Sequence, residues 1–476
     1  MPRTLPALFA AALLASPAVA QQPTITQPAA PSPPPLPVKV DPFVAKLRDA
    51  ALKDDLAYQI TEGLTTEVGP RLAATEAEAR GRAWAVAKLK ALGFRKVRVE
   101  TFPMPVWVRG EETAEIVSPF PQKLQLTALG NSAATPPEGI TAPVALFRDY
   151  NDLLAAPDGS LKGKIAYISH DMAPTQDGSS YGAYGAARRA GPAIAARKGA
   201  LAVVIRSIGT DKQRLPHTGG TNFPAGVQPI PAAALSHSDA EQLERVAARG
   251  KPVTLKLVLT PRQLGPGESG NVIAEVPGTD RNAGVVLVGG HLDSWDLGTG
   301  AIDDASGLGI VTAAAKRIMD SGRRPRRTIR VVWFGAEEVG VFGGRAYARA
   351  HARERHDTAA ESDFGADRIW RFETNFLPGA AAVADRLGAA LSPLGIVRGT
   401  GKAGDGADVG PMFALGTPAI DLNQSGERYF DIHHTPDDTL ERVDPEQLRQ
   451  NVAAWTAMLA VVAYAPEELG PIPPAK

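Results

Sequence analysis

The sequence predicts an α/β protein in which helices cover a mostly parallel sheet, with an inserted β-rich domain. After about residue 263, short apolar runs alternate with helical patterns, as in a buried parallel sheet. Between residues 118 and 262 the pattern changes to short β-like runs separated by Gly and Pro turns. The length of 476 residues also favours more than one domain.

Composition excludes several functional classes. The chain has 51 Lys and Arg against 51 Asp and Glu, and no long block of like charge, so neither nucleic acid nor an anionic membrane is expected as the main partner. Cysteine is absent, which excludes disulfides, thiolate nucleophiles and Cys-based zinc sites. The eight histidines and the carboxylates therefore remain as the strong metal ligands.

The amino terminus has the pattern of a signal peptide. Arg3 precedes an apolar stretch, and Ala18-Val19-Ala20 provides small residues for cleavage after residue 20. A membrane anchor is the alternative, but the stretch is shorter than the ~20 residues that a span requires. We therefore expect an exported protein, periplasmic or extracellular, with no membrane span in the mature chain.

Residues 21–40 are rich in proline and predict an extended linker. The folded part is expected to begin with a helix at Asp41, with Pro42 at its first position. We assign residues 41–117 and 263–466 to one domain, 118–262 to the insertion and 467–476 to a tail. The other elements predicted in the first domain are a helix over Glu76–Leu92, a strand over Lys96–Phe102 and a buried carboxy-terminal helix over Val452–Ala465.

The insertion is predicted to be mainly β, around one helix at Ala186–Arg197. Its histidines are His170, His217 and His237. They share no spacing, so we expect solvated loop residues rather than a metal site. The predicted strands are Leu124–Leu129, Val144–Phe147, Lys164–Ile168 and Val253–Leu259.

The segment after the insertion carries the chemistry. We expect a strand at Val285–Gly289, a helix at Ala305–Met319 and a strand at Thr328–Gly335. In open α/β sheets the functional groups lie at the carboxyl ends of the strands. His291 leaves the first strand end there, and Asp293 can hold its other imidazole nitrogen.

Paired carboxylates follow in the same segment. One of Asp303 and Asp304 can bridge two cations, because a carboxylate has two oxygens and a charge that offsets their repulsion. Glu337 and Glu338 point opposite ways on an extended chain, so one can bind a metal while the other stays free as a base.

Two further groups complete the set of possible ligands. Asp363 ends a third apolar run, and the pair His433 and His434 lies in a loop before the last helix. Imidazole together with carboxylate favours zinc, and the number of donors suits two ions.

These motifs resemble the four metal motifs of the co-catalytic di-zinc exopeptidases. The resemblance rests on GGHLDSWDLGTGAIDDASG at 289–307, FGAEEVG at 334–340, ESDFG at 361–365 and HHTPDDT at 433–439. In addition, GPRLAATEAEARGRAWAVAKLKALG at 69–93 is similar to the amino-terminal segment of the carboxypeptidase Q branch. The resemblance spans residues 41–466 and implies a zinc exopeptidase fold with a protease-associated-type insertion.

The resemblance also implies roles for individual residues. The ligands of two zinc ions would be His291, Asp303, Glu338, Asp363 and His434. Asp303 would bridge the ions, Glu337 would be the base and Asp293 would orient His291. The choice of Asp303 over Asp304, and of His434 over His433, comes from motif position alone.

The implied activity is hydrolysis of dipeptides or short peptides. A water held between two ions ~3.5–4 Å apart would lose its proton to Glu337 and attack the peptide carbonyl. Two alternatives are a single-zinc acyltransferase of the glutaminyl cyclase kind and an inactive receptor-like binding protein. Removal of residues from the amino end or from the carboxyl end stays open. The oligomeric state also stays open, with a homodimer as one possibility because enzymes of this branch are often dimers.

Overall fold

Helices and strands alternate through residues 38–473, the part of the chain that the computed structural model describes. The predicted signal peptide, the linker up to residue 37 and residues 474–476 of the tail lie outside the described residues. The helices are α1 (Pro42–Ala51), α2 (Leu56–Glu67), α3 (Glu76–Ala91), α4 (Tyr150–Ala155), α5 (Ser179–Tyr184), α6 (Ala186–Arg189), α7 (Gly191–Arg197), α8 (His237–Ala247), α9 (Ser306–Asp320), α10 (Phe342–His351), α11 (Ala381–Leu391), α12 (Gly410–Phe413), α13 (Tyr429–Ile432) and α14 (Pro445–Val462).

The strands form two eight-stranded sheets. In chain order they are β1 (Arg95–Val108), β2 (Glu112–Ser118), β3 (Gln122–Leu124), β4 (Leu126–Ala128), β5 (Ile140–Phe147), β6 (Ile165–Ile168), β7 (Ala202–Arg206), β8 (Ala232–Leu235), β9 (Thr254–Leu259), β10 (Arg262–Val276), β11 (Val285–His291), β12 (Ile329–Phe334), β13 (His356–Glu361), β14 (Ile369–Asn375), β15 (Val397–Arg398) and β16 (Ala419–Gln424).

The first sheet has the strand order β1-β10-β12-β11-β13-β16-β14-β15. Its central strands β12, β11, β13 and β16 run parallel, whereas β10 joins β12 and β14 joins β16 in antiparallel pairing. The predicted α/β class is confirmed. The sheet is parallel at its centre and mixed at its edges.

Both faces of this sheet are covered, which explains why its central strands are apolar throughout. Val286 and Val288 pack into a core with α9 and α14, whereas Leu287, between them, packs on the other face with α10 and α12. This alternation follows from the two-residue repeat of a strand. The sheet is therefore held in position from both sides, and its strand ends are rigid supports for side chains.

The second sheet has the order β3-β2-β9-β5-β6-β7-β8-β4. Its strands run from Glu112 to Leu259, so this sheet begins six residues before the predicted insertion, at β2, which pairs with β9. The segments before and after it, β1 and β10, pair with each other in the first sheet. Both sheets belong to one compact unit.

Several predicted elements occur with adjusted bounds. Asp41 caps α1, accepting a hydrogen bond from the Phe43 amide at 2.8 Å, and α14 contains most of the predicted carboxy-terminal helix. The single strand predicted over Leu124–Leu129 is wrong, because the Gln125 amide donates to Asp239 and interrupts it. Among the described residues, no helix is both long and apolar enough to cross a bilayer.

Two predictions about the insertion are corrected. The expected helix at Ala186–Arg197 is two helices, broken at Ala190 because Pro192 starts a new one. The histidines expected in solvated loops are instead buried, with His170 at 5%, His217 at 0% and His237 at 7% exposure. His237 also opens helix α8, where Ser236 provides the cap.

Candidate metal centre

The predicted site residues meet at one edge of the first sheet. β11 ends at His291, β12 ends three residues before Glu337, and β13 ends two residues before Asp363. These three strands are parallel neighbours, with β11 in the middle. Their carboxyl ends therefore lie side by side, at the edge where open α/β sheets place their sites.

Asp303 lies between the two histidines of the predicted set. Its Oδ1 is 2.9 Å from His291 Nε2, and its Oδ2 is 3.3 Å from His434 Nε2. Asp363 Oδ1 is 3.3 Å from His291 Nε2, and Glu338 Oε2 is 3.0 Å from His434 Nε2. The five predicted ligands thus form two groups that share one carboxylate.

The neighbours of Asp303 and His434 have different surroundings. Asp304 accepts hydrogen bonds from the backbone amides of His291, at 3.0 Å, and Gly307, at 3.2 Å, so both its oxygens are engaged by the main chain. The imidazole of His433 is buried among aromatic rings, including Tyr181 and Tyr429, and neither of its nitrogens has a partner among the described residues. Asp304 also has an oxygen within 4.8 Å of ligand atoms of His291 and Asp363, so the choice of Asp303 over Asp304, and of His434 over His433, stays a prediction.

The charges of this cluster suit a bound cation. Burial would raise the pKa of Asp303, but the two histidines lower it well below its ordinary value. Burial likewise lowers the pKa of His291, yet Asp363 and Asp303 raise it well above its usual range. The buried carboxylates thus favour positive charge beside them, which a metal ion supplies.

The donor set fits zinc. Asp303 Oδ2 and Glu338 Oε1 are buried and accept no well-aligned hydrogen bond from the described residues. Unsatisfied buried oxygens are rare in folded proteins and call for an ion or water. The ligating atoms of His291, Asp303 and Glu338 all lie within 4.8 Å of one another. Imidazole and carboxylate donors at such spacing are those that zinc sites use.

Asp293 supports the centre in a different way from the one predicted. The imidazole Nδ1 of His291 donates to the backbone carbonyl of Asp293 at 2.9 Å, whereas the Asp293 carboxylate lies 3.8 Å away. That carboxylate instead accepts the amides of Glu337 at 3.0 Å and Glu338 at 3.2 Å. In this structure the main-chain carbonyl of Asp293, rather than its carboxylate, accepts the hydrogen bond of the imidazole, and the role of Asp293 in orienting His291 stays a prediction.

Glu337 differs from the ligands in having a free carboxylate. This carboxylate has no hydrogen-bond or ion-pair partner within residues 38–473, and the residue is partly exposed. Burial raises the pKa of Glu337 well above its ordinary value, and Asp363 and Glu338 add to the effect although His291 opposes it. A carboxylate with a raised pKa beside a metal cluster is suited to accept a proton.

Arg71 and Asp438 position the loop that carries Asp303. Arg71 is fully buried and donates to the carbonyls of Leu292 at 2.5 Å, Thr299 at 2.6 Å and Gly300 at 2.9 Å. Asp438 accepts the amides of Ala301 at 2.8 Å and Ile302 at 2.7 Å. Sequence reasoning assigned no role to either residue, although both lie inside the quoted motifs.

Thr218 lies between β7 and β8, in the part of the chain that builds the second sheet. No sequence pattern indicates a role for it. Its carbonyl accepts a hydrogen bond from His434 Nδ1 at 3.2 Å, and its amide donates to the His434 carbonyl at 3.0 Å. A ligand histidine whose other nitrogen donates to a carbonyl has its tautomer fixed and its ring oriented. No local pattern in the sequence signals this contact, because the two residues are 216 positions apart.

Comparisons with known proteins give a consistent result. Residues 271–459 match peptidase family M28. Carboxypeptidase Q of Bos taurus is 35% identical, over 87% of this chain and 86% of that protein. Aminopeptidase YwaD of Bacillus subtilis (strain 168) is 28% identical, over 85% of this chain and 83% of that protein. The crystal structure of a peptidase M28 precursor from Shewanella amazonensis SB2B is similar with a TM-score of 0.89 and 46% identity, over 91% of this chain and 98% of that chain.

Proposed function

We propose a specific reaction for this chain, which belongs to peptidase family M28, in its carboxypeptidase Q-like branch, and is a zinc metallopeptidase of the exopeptidase class. It hydrolyses dipeptides and short peptides with two zinc ions, and Glu337 is the general base. The observation that carries the proposal is the position of Asp303, whose two oxygens face two different histidines. A single carboxylate in this position is suited to bridge two cations.

The proposed ligands divide into two groups. His291 and Asp363 would hold one zinc ion, His434 and Glu338 the other, and Asp303 would bind both. Bound zinc lowers the pKa of a coordinated water and polarises a peptide carbonyl. The fixed positions of the two histidines, each donating its remaining nitrogen to a backbone carbonyl, would orient the ions for this chemistry.

Glu337 would move the proton. Its free carboxylate oxygen can accept a proton from the attacking water, and the raised pKa allows it to hold that proton. It would then donate the proton to the nitrogen of the leaving amine. Asp293 would act as a positioning residue, since its carboxylate holds the backbone amides of Glu337 and Glu338.

The second sheet would form the protease-associated-type insertion. We place it between the two segments of the peptidase domain, because β1 and β10 pair with each other directly on either side of it. Its proposed contribution to the metal centre is the Thr218 carbonyl, which holds His434. Export of the enzyme remains a proposal based on residues 1–20. Sequencing of the mature amino terminus from a periplasmic or culture fraction tests it, and the expected first residue is Gln21.

A dipeptide library with blocked termini tests the proposed function. Free dipeptides should be hydrolysed, and chelation of the metal should abolish the activity until zinc is restored. Acetylated and amidated dipeptides then show which terminus the enzyme requires. Hydrolysis that persists in the purified protein after complete metal removal would contradict the proposal, and so would zinc-loaded protein that cleaves none of the free dipeptides. The number of zinc ions lost on Asp303→Ala, two rather than one, separates the two-ion centre from a single-zinc acyltransferase.

A further inference from the structure

A second group of metal-ligating side chains lies outside the metal centre. Asp211, His217 and His237 are buried, and one ligand atom from each lies within 4.8 Å of the other two. All three come from the segment that builds the second sheet and its helices, and none takes part in the proposed mechanism. We propose that Asp211, His217 and His237 hold a further divalent cation, which their donor types identify as zinc.

The contacts within this group resemble those within the candidate metal centre. His217 Nε2 lies 2.6 Å from Asp211 Oδ2, as His291 Nε2 lies 2.9 Å from Asp303 Oδ1. The rings of His217 and His237 have their centres 5.6 Å apart. Two imidazoles on one zinc ion, each bound at about 2.0–2.1 Å, place their ring centres roughly 5–6 Å apart. The spacing of the rings therefore suits one shared ion.

The surrounding backbone holds two of the three side chains in place. His237 Nε2 donates to the Ser207 carbonyl at 2.8 Å, which leaves its Nδ1 free as a ligand atom. Asp211 Oδ1 accepts the Gln213 amide at 2.6 Å, which leaves Oδ2 toward the histidines. Ligand histidines and carboxylates in metal sites have supporting hydrogen bonds of this kind.

A hydrogen-bonded pair of Asp211 and His217 does not explain the whole arrangement. His217 is fully buried, and its Nε2, which lies 2.6 Å from Asp211 Oδ2, is the atom that would bind the ion. An ion that all three side chains bind accounts for the position of His237, which places a ligand atom within 4.8 Å of those of the Asp–His pair.

The position of the ion gives it a structural consequence. Ser207, Asp211 and His217 belong to one segment, and Thr218, the next residue, contacts the metal ligand His434. The ion would hold this segment to helix α8 through His237. It would thereby keep the Thr218 carbonyl in position behind His434, although it lies apart from the reacting groups.

Zinc content per chain tests the proposal on the full-length protein, loaded with zinc and then desalted. The variant His237→Phe removes the ligand but keeps an aromatic ring, and Asp211→Asn is nearly isosteric. Each should contain one zinc ion fewer than the unmodified protein. His170→Phe is the matched control, because His170 is buried nearby and bonds the same Ser207 carbonyl at 2.7 Å but is not in the group. It should keep the full zinc content.

A double variant that combines Asp303→Ala with His237→Phe separates this site from the proposed catalytic centre. If Asp303 bridges two ions, that variant should retain one zinc ion per chain, and the double variant with His237→Phe should retain none. If Asp303→Ala keeps its catalytic ions, the proposed bridge fails, but the loss of one ion by His237→Phe still supports the further site. Circular dichroism verifies that the variants fold. Zinc contents of folded His237→Phe and Asp211→Asn equal to that of the unmodified protein overturn the proposal.

Discussion

Glu337 and Glu338 are adjacent carboxylates that the fold places in different surroundings. The Glu338 carboxylate contacts His434, whereas the Glu337 carboxylate has no partner in the described part of the chain. The sequence could predict that one of the pair binds a metal and the other acts as a base, because neighbours on an extended chain diverge. It could not show that the Asp293 carboxylate holds both of their amides, since that contact spans more than 40 residues.

Replacement of Glu337 by Gln should separate proton transfer from metal binding. We expect full zinc content and a kcat that falls by about 10²–10⁴-fold, which is the usual contribution of a general base. Glu268→Gln, at an exposed position of β10, is the control and should leave kcat unchanged. A Glu337→Gln enzyme with a kcat close to that of the unmodified protein would exclude Glu337 as the base.

Replacement of Asp303 by Ala should remove both catalytic ions. Its two oxygens face both histidines, so each ion would lose a ligand and the two would lose the charge between them. Metal analysis by mass spectrometry measures the loss. Asp367→Ala, in a nearby exposed ion pair with Arg428, serves as the control and should keep its zinc. An Asp303→Ala protein that still holds both ions at this centre would show that the bridge is not needed.

At the level of elements, the loop between β11 and α9 carries Asp303 but has little regular structure of its own. Arg71 holds it through three carbonyls and Asp438 through two amides. The sequence indicated the strands on either side, because β11 and β12 are apolar on both faces. It did not indicate what holds the loop, since Arg71 lies more than 200 residues away in the chain.

Replacement of Arg71 by Met should destabilise the protein. The change leaves three buried carbonyls without their charged donor, so the free energy of unfolding should fall by about 3 kcal/mol. Denaturant unfolding measures this difference. Arg80→Met, an exposed position on helix α3, is the control and should change stability little. Unchanged stability in Arg71→Met would mean that the loop does not depend on these contacts.

His351, at the end of α10, links this helix to strand β1. Its Nε2 is 3.0 Å from Glu100, and its Nδ1 is 2.9 Å from Glu354. Hydrogen bonds to Glu100 and Glu354 raise the pKa of His351 to about 9, above the value of about 6.5 expected in the unfolded chain. The stabilising contribution is therefore complete below about pH 6.5 and is lost as the pH rises through about 9.

The variant His351→Gln tests this dependence. It should be less stable than the unmodified protein at pH 6, and the difference should shrink as the pH approaches 10. Denaturant unfolding at both pH values measures it. A stability difference that is the same at pH 6 and pH 10 would contradict a charged His351 in the folded state.

Long strands with glycine and proline were the elements hardest to predict. β10 contains Gly265, Pro266 and Gly267, residue types that are depleted in strands, yet it is a strand of 15 residues. Near its amino end it pairs with β1 alone, and a strand paired on one side can tolerate residues that a central strand excludes. Tertiary pairing overrides local preference there, and the predicted strand at Lys96–Phe102 is extended to Val108 for the same reason.

At the scale of the whole molecule, the candidate metal centre brings together carboxylates whose negative charge the surrounding protein groups do not fully neutralise. The chain has equal numbers of basic and acidic residues, but His291 and His434 are the basic side chains that contact the predicted ligand carboxylates among the described residues. Motif order predicted which residues converge here. It did not predict that the segment between β7 and β8 contributes Thr218, or that His170, His217 and His237 are buried, because both depend on packing between distant segments.

Removal of zinc should therefore lower the stability of the whole protein. A ligand that binds only the folded state adds on the order of 4 kcal/mol when its concentration exceeds Kd a thousandfold. Chelation should lower the melting temperature, and added zinc should restore it. Equal melting temperatures with and without the metal would mean that metal binding is not coupled to folding.

The most direct test of the central claim is anomalous X-ray scattering at the zinc edge from crystals of the zinc-loaded protein. We predict two neighbouring peaks on either side of Asp303, one beside His291 and Asp363 and the other beside His434 and Glu338. Each peak should lie about 2.0–2.2 Å from an Asp303 oxygen. A single peak at this centre, or two peaks of which one is out of reach of Asp303, would contradict the account.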